Sequence, residues 1–397
     1  MTSMNQGDAY PAMNKTPSVI LLICAAAGMA LLIGLAAVIF LAWSPLRIGF
    51  AGPLTGPYSD LGVAGRNGAQ LAFEEMNAAA GLRRPSFKLE AVDDQGSDSG
   101  ARQAAKELLE SEVVAVIGHM TSAQCLAALP LYKEQDMALL SPTASTPRLS
   151  RRKDLFFRIQ PATDLAAHAA ASYIADALQL RRLCIVFDLN NKAYTKPYVR
   201  DFQARAAELG ASVCQAISFS SQGSPDFGSI AERIRHYAPQ GLFIVASAQD
   251  TARLVQRLRA GKAAPRLFSS EWARTEKLLQ YGGADVEGLT LVQLHSDQAA
   301  PERFKAFAQS YRERFGRPPN YAAAQGYNGA KVLAWALKKA GLDAHGLPSW
   351  LPRVSGLSGL YGPITLDAFG DFFSSISLCR VENRAFVQIA KMSPDRE

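Results

Sequence analysis

Two short runs carry hydroxyl side chains that could grip an acid group: Gly118–Ser122 and Ser141–Thr146. Each follows a short apolar run that reads as a strand. Ser122 stands just before a helix whose apolar spacing starts near Ala123. A hydroxyl beside the free N–H groups of a helix start suits a carboxylate. Far downstream, Glu271 follows another strand-like run, Arg266–Ser269. A carboxylate shut into a cleft is costly unless a cation joins it, so Glu271 in such a place selects an amine. Acid and amine anchors together are what an α-amino acid needs. Each residue also fits a plainer role: Ser122 as a helix N-cap, Ser145 as turn chemistry, Glu271 as a solvated loop side chain.

Catalytic patterns are missing from the sequence. The five histidines (His119, His168, His236, His295, His345) form no HExxH pair, and no GxSxG elbow or P-loop occurs. Gly49-Phe50-Ala51-Gly52 is not a dinucleotide fingerprint. His119 abuts the first hydroxyl run and reads as a packed structural histidine. No enzyme activity, cofactor or metal is expected. The five cysteines show no metal-ligand spacing. Cys184 and Cys214 lie in apolar strand-like runs and fit either a disulfide in an oxidising compartment or two buried thiols. The net charge of +7 is scattered, which argues against nucleic acid. The densest basic cluster, Arg148, Arg151, Arg152 and Lys153, fits a solvated loop or a docking patch for an anionic surface.

The elements that must position these residues follow from periodicity. Val19–Trp43 is an uncharged run long enough to span a bilayer, and it predicts a transmembrane anchor over 19–43 after a short tail, 1–18. That tail is too short for a signalling or catalytic domain. The remaining 350 or so of the 397 residues exceed one typical core. Strand-like runs at Leu46–Phe50, Phe87–Val92, Val113–Ile117 and Ala138–Leu140 alternate with helical spacing. The pattern restarts at Leu183–Phe187, Val213–Phe219, Gly241–Ala246 and Arg266–Ser269, with a helix from Tyr198 to Leu209. The fold class is therefore α/β: two doubly wound parallel-sheet lobes preceded by one N-terminal transmembrane helix. Ligands of such sheets bind beyond the carboxyl ends of the strands, so two facing lobes make one cleft.

At those strand-end loops the chain resembles the type I periplasmic binding proteins, in particular the branched-chain amino-acid binding proteins of ABC importers. The resemblance rests on Arg47-Ile48-Gly49 through Gly56-Pro57, Asp93-Asp94, Val116-Ile117-Gly118-His119, Leu140-Ser141-Pro142-Thr143-Ala144-Ser145-Thr146-Pro147, Phe157-Arg158 and Tyr361-Gly362-Pro363-Ile364. It spans nearly all of Leu46–Met392. It implies a hinged Venus-flytrap fold with crossovers near Phe157–Pro161, Val292–His295 and Tyr361–Pro363. Lobe 1 is then 46–160 plus 293–361, and lobe 2 is 161–292 plus 362–397.

The resemblance also assigns roles. Ser122 matches the family's carboxylate-binding serine. Ser145 matches a hydroxyl that contacts the ligand, and Thr143 a position that contacts it through backbone atoms. Glu271 matches the glutamate that takes the ammonium group. Tyr194, in the loop after Leu183–Phe187, matches an aromatic that closes over the ligand, though an exposed tyrosine fits it nearly as well. Leu61 falls where a side chain lines the specificity pocket, and with Tyr58 nearby it suggests a branched-chain or other apolar ligand. A second family tyrosine would fall near Ala246–Ala248, where there is none. The family's disulfide positions are here Gly96 and Thr121, so that staple is absent. The implied partners are an amino-acid ligand, an ABC permease with its ATPase, and the membrane through the N-terminal helix. The implied place is the inner membrane, with the binding domain periplasmic or extracellular. A membrane-anchored receptor sensing an amino acid or amide is the alternative.

Overall fold

The computed structural model describes residues 21–32, 34, 45–81, 86–261, 264–294 and 300–392. By contacts the chain divides into Met1–Pro45 and Leu46–Glu397. In the first unit, 21–32 is helical. Among the described residues no helix is long and apolar enough to cross a membrane. The expected anchor over 19–43 is thus not shown, and most of the rest of that run lies outside the described residues.

In the second unit, β1 (Leu46–Gly52) starts a five-stranded sheet with β2 (Phe87–Asp93), β3 (Val116–Ile117), β4 (Leu139–Ser141) and β5 (Phe156–Arg158). The order is β2-β1-β3-β4-β5, and every pairing is parallel. Its central strands are buried on both faces, as helix-covered parallel strands must be. Helices α1 (Ser59–Ala80), α2 (Asp98–Glu110) and α3 (Ser122–Glu134) make the crossovers. The strand expected over Val113–Ile117 pairs only at Val116 and Ile117.

α4 (Thr163–Ser172) leads into a second sheet: β6 (Arg182–Asp188), α5 (Lys192–Glu208), β7 (Ser212–Phe219), α6 (Phe227–Tyr237), β8 (Gly241–Val245), α7 (Ala248–Arg259), β9 (Arg266–Ser269), α8 (Glu276–Gly282) and β10 (Thr290–Gln293). The parallel part, β7-β6-β8-β9-β10, repeats the order of the first sheet. β11 (Ile376–Glu382) and β12 (Ala385–Met392) extend it antiparallel beyond β10. In both sheets the order reverses beside the first strand, between β1 and β3 and between β6 and β8. Those switch points are where open α/β sheets leave a crevice.

Between the sheets' two contributions, α9 (Glu302–Phe315) and α10 (Tyr321–Lys339) return to the first core. α10 lies against α1 with backbones nearly touching. A Cβ on Gly68 would meet the Ala323 carbonyl at 1.9 Å, and one on Gly326 would meet the Gly65 carbonyl at 2.1 Å. Only glycine permits that approach. Leu360, Ile364, Leu366 and Phe372 also pack into the first core, and the chain rejoins the seven-stranded sheet only at Ile376. The third passage between sheets therefore falls after Phe372, later in the chain than Tyr361–Pro363. His295, at the edge of the second, lies outside the described residues.

Candidate functional site

The first sheet offers its strand ends as hydroxyl loops. After β3, Gly118 takes φ 135° with its α-carbon against Ala51, where an added Cβ would lie 2.1 Å from the Ala51 carbonyl. This glycine turns the chain into His119–Thr121. His119 is fully buried, with Nδ1 2.7 Å from Asp94 Oδ2, and props the loop from beneath. Ser122 is the first residue of α3, one position further into the helix than the sequence suggests, and Thr121 takes the cap position. The Ser122 hydroxyl is not spent on capping. It accepts from the backbone N–H of Ser145 (3.2 Å) and of Thr146 (3.1 Å), so it pins the second loop to the first. Accepting twice leaves the Ser122 proton free to donate to an acid group.

The second loop follows β4. Ser141 Oγ donates to the His119 carbonyl at 2.7 Å, and Thr143 Oγ1 donates to the Met120 carbonyl. Thr143 thus presents its backbone to the space above, and Ser145 is 2% exposed. Behind the loop stands Arg158, buried and paired to Asp371 at 2.8 Å. Its Nη1 donates to the Thr146 carbonyl at 3.1 Å. The exposed cluster Arg148, Arg151, Arg152 and Lys153 continues outward from there.

The second sheet supplies the acidic anchor. Glu271 opens a 3-10 turn just beyond β9. It is 8% exposed. Tyr194 donates to its Oε1 at 3.1 Å, while Oε2 has no hydrogen-bond partner among the described residues. Burial raises its pKa to about 7, and its backbone hydrogen bond and the Tyr194 hydroxyl offset only part of that rise. Tyr194 is not in a loop. α5 begins at Lys192, so Tyr194 sits in its first turn, ahead of Pro197. The helix expected over Tyr198–Leu209 thus begins about two turns earlier, although proline usually stands in a helix's first turn. Here a proline six residues in is tolerated.

All six residues singled out from sequence line one cavity: Leu61, Ser122, Thr143, Ser145, Tyr194 and Glu271. The hydroxyl loops come from the first sheet and Glu271 with Tyr194 from the second. The cavity also takes Gln160, Asn191, Trp272 and Tyr321, which sequence reasoning missed. Trp272 packs edge-on to Tyr194 (5.6 Å, 82°) and tilted against Tyr58 (5.3 Å). Its place next to Glu271 was the available signal. Asn191 stands at the N-cap position of α5, but its side chain instead accepts from the N–H of Ala123 at 3.2 Å, bridging the two sheets' loops. Tyr58, expected near an apolar wall, instead turns its hydroxyl to Asp188 (2.8 Å). Among the described residues no group of His, Cys, Asp and Glu could hold a metal.

The arrangement can bind a zwitterion: hydroxyl and amide donors on one side, a carboxylate on the other, aromatic walls between. A sequence profile of the periplasmic binding proteins matches residues 45–384. A Leu/Ile/Val-binding protein of Rhizobium johnstonii is 26% identical over 348 residues, covering 86% of this chain and 93% of that protein. The crystal structure of a leucine-binding protein from Thermotoga maritima superposes with a TM-score of 0.82 at 25% identity, over 88% of this chain and 99% of that one. An ABC-transporter solute-binding protein from R. palustris, in complex with benzoate, superposes with a TM-score of 0.80 at 20% identity, over 88% and 97%. That last likeness is one of fold.

Proposed function

The chain belongs to the periplasmic binding protein family, among the type I members related to Leu/Ile/Val-binding proteins, and from that premise we infer that it is the extracytoplasmic capture component of an ABC importer for a small α-amino acid. One observation carries this reading. Ser122 and Ser145, from one sheet, share a cavity with Glu271, from the other. The acid group of the ligand takes the Ser122 proton and nearby backbone N–H groups. Its ammonium group takes Glu271 Oε2, the carboxylate oxygen without a partner among the described residues. Leu61 gives one apolar wall for the ligand's carbon chain.

The two lobes of this reading are built on the two sheets, and the hinge on the passages between them. Ligand contacts to both lobes hold the closed form. Handing the ligand to a permease with its ATPase follows. The uncharged run Val19–Trp43 is the feature that would keep the capture domain at the membrane.

Calorimetry with Glu271→Gln tests the reading. The variant is expected to fold and to lose amino-acid binding by at least a hundredfold, because a buried ammonium then lacks its counter-charge, about 3 kcal/mol or more. Unchanged affinity would remove the ammonium role of Glu271 and with it the amino-acid assignment.

A further inference from the structure

Behind Glu271, toward the passages between the sheets, a second, narrow chamber opens. It shares Gln160, Glu271 and Tyr321 with the amino-acid cavity and adds Arg274, Gln293 and Gln325 beside Leu294 and Tyr361. Three side-chain amides and a guanidinium surround it, and Gln160, Gln293, Gln325 and Arg274 are all at least nine-tenths buried.

Gln325 is committed: its Nε2 donates to the Ile159 carbonyl at 2.9 Å and to Gln160 Oε1 at 3.2 Å. Gln293 is not. It ends β10 at 2% exposure, and neither its amide nitrogen nor its amide oxygen has a hydrogen-bond partner among the described residues. Interior amides are rarely left so, because an unmet donor and an unmet acceptor both oppose folding. A group that satisfies Gln293 must both accept and donate, side by side. A primary carboxamide does that in one plane. A carboxylate only accepts, so it would leave the Gln293 amide oxygen unmet.

We propose that this chamber is the side-chain subsite of the ligand pocket and that it receives a terminal carboxamide, so that the ligand is an α-amino acid of the glutamine type, read out by Gln293. The proposal rests on the amino-acid reading of the Ser122–Glu271 cavity. With the ligand's ammonium at Glu271, its carbon chain passes between Leu61 and Tyr321. Its amide then reaches Gln293, paired donor to acceptor. Leucine would fill the first cavity and leave Gln293 unmet, and a buried polar group deprived of its partner discriminates strongly against a ligand lacking it.

The test is titration calorimetry of the full chain with L-glutamine, L-glutamate, L-leucine and L-norleucine, repeated with Gln293→Leu. Glutamine is expected to bind at least tenfold tighter than norleucine, which has a similar chain length without the amide. Gln293→Leu is expected to abolish that preference while leaving leucine and norleucine affinity the same or better. Leucine or norleucine binding as tightly as glutamine overturns the subsite and leaves the amino-acid reading standing. Glutamate ahead of glutamine overturns the carboxamide assignment. Silence with all four amino acids overturns both readings. If Gln293→Leu does not fold, Gln293→Met keeps the volume and asks the same question, and the wild-type ratio decides independently.

Discussion

At the scale of single residues, Glu271 decides most. Burial raises the pKa of its carboxyl from 4.5 to about 7 in the folded, unliganded chain, so below pH 7 the group is mostly protonated. An unfolded chain ionises it near 4.5. Between those values the folded state holds the extra proton, so stability falls as pH rises through the window, by up to about 3 kcal/mol. The contribution is whole below pH 4.5 and lost above 7. Glu271→Gln, which cannot ionise, is therefore expected to melt higher than the wild type at pH 8 without ligand, and not at pH 4.5. Ligand binding runs the opposite way. An ammonium group needs the ionised carboxylate, so at pH 5.5 the proton must first leave, weakening affinity about 30-fold relative to pH 8. A flat affinity between pH 5.5 and 8, measured by calorimetry, would show that Glu271 meets no cation.

At the scale of elements, β6 and β7 hold the pair left open by the sequence. Cys184 and Cys214 bring their sulfurs to 3.1 Å as thiols. A register shift between Leu183 and Cys184 places Cys184 opposite Gln215 and leaves Cys214 at the irregularity, where its Sγ also reaches the Leu183 carbonyl at 3.1 Å. An oxidised small-molecule disulfide such as glutathione disulfide, by thiol–disulfide exchange, is expected to join them: two thiols lose two protons and two electrons, and the oxidant is reduced to two thiols. Closing a loop of some 30 residues adds about 3.5 kcal/mol in the chain-entropy picture. The free-thiol count should fall by two and the melting temperature rise, and Cys184→Ser should show neither. An unchanged thiol count after prolonged oxidation would mean the pair is sealed from exchange. The elements also show what sequence can carry. Apolar runs and helical spacing found the strands and most helices because each lobe repeats one β-α rhythm. Serines after strands and a glutamate after a strand were visible because strand ends are where such sheets act. Gln160 and Tyr321 were not, because they reach the cavity only when separate chain passages converge. α5 starts ahead of Pro197, a residue type that usually opens a helix and here sits inside one.

At the scale of the whole molecule, the contacts between the two sheets' loops make a latch around the cavity. Tyr58, just ahead of α1, donates to Asp188 at the end of β6 at 2.8 Å and lies 2.6 Å from Ser221 Oγ. Asp60 accepts from Thr275 Oγ1 at 2.6 Å and pairs with Lys277 at 3.4 Å. These bonds do not need the ligand, so they set how far the empty clamshell already leans toward closure. The apparent dissociation constant scales inversely with the fraction that is binding-competent. Tyr58→Phe removes one hydrogen bond to a buried carboxylate, about 1.5 kcal/mol. Asp188 keeps Ser221 and Asn190 as donors, so the fold should persist. The variant is expected to bind about tenfold more weakly, chiefly through faster release. Small-angle scattering should find the unliganded variant more expanded than the wild type and the saturated forms equal in size. Equal affinity together with equal unliganded size would show that Tyr58–Asp188 follows closure instead of biasing it, and closure would then rest on the ligand's own contacts to Ser122 and Glu271.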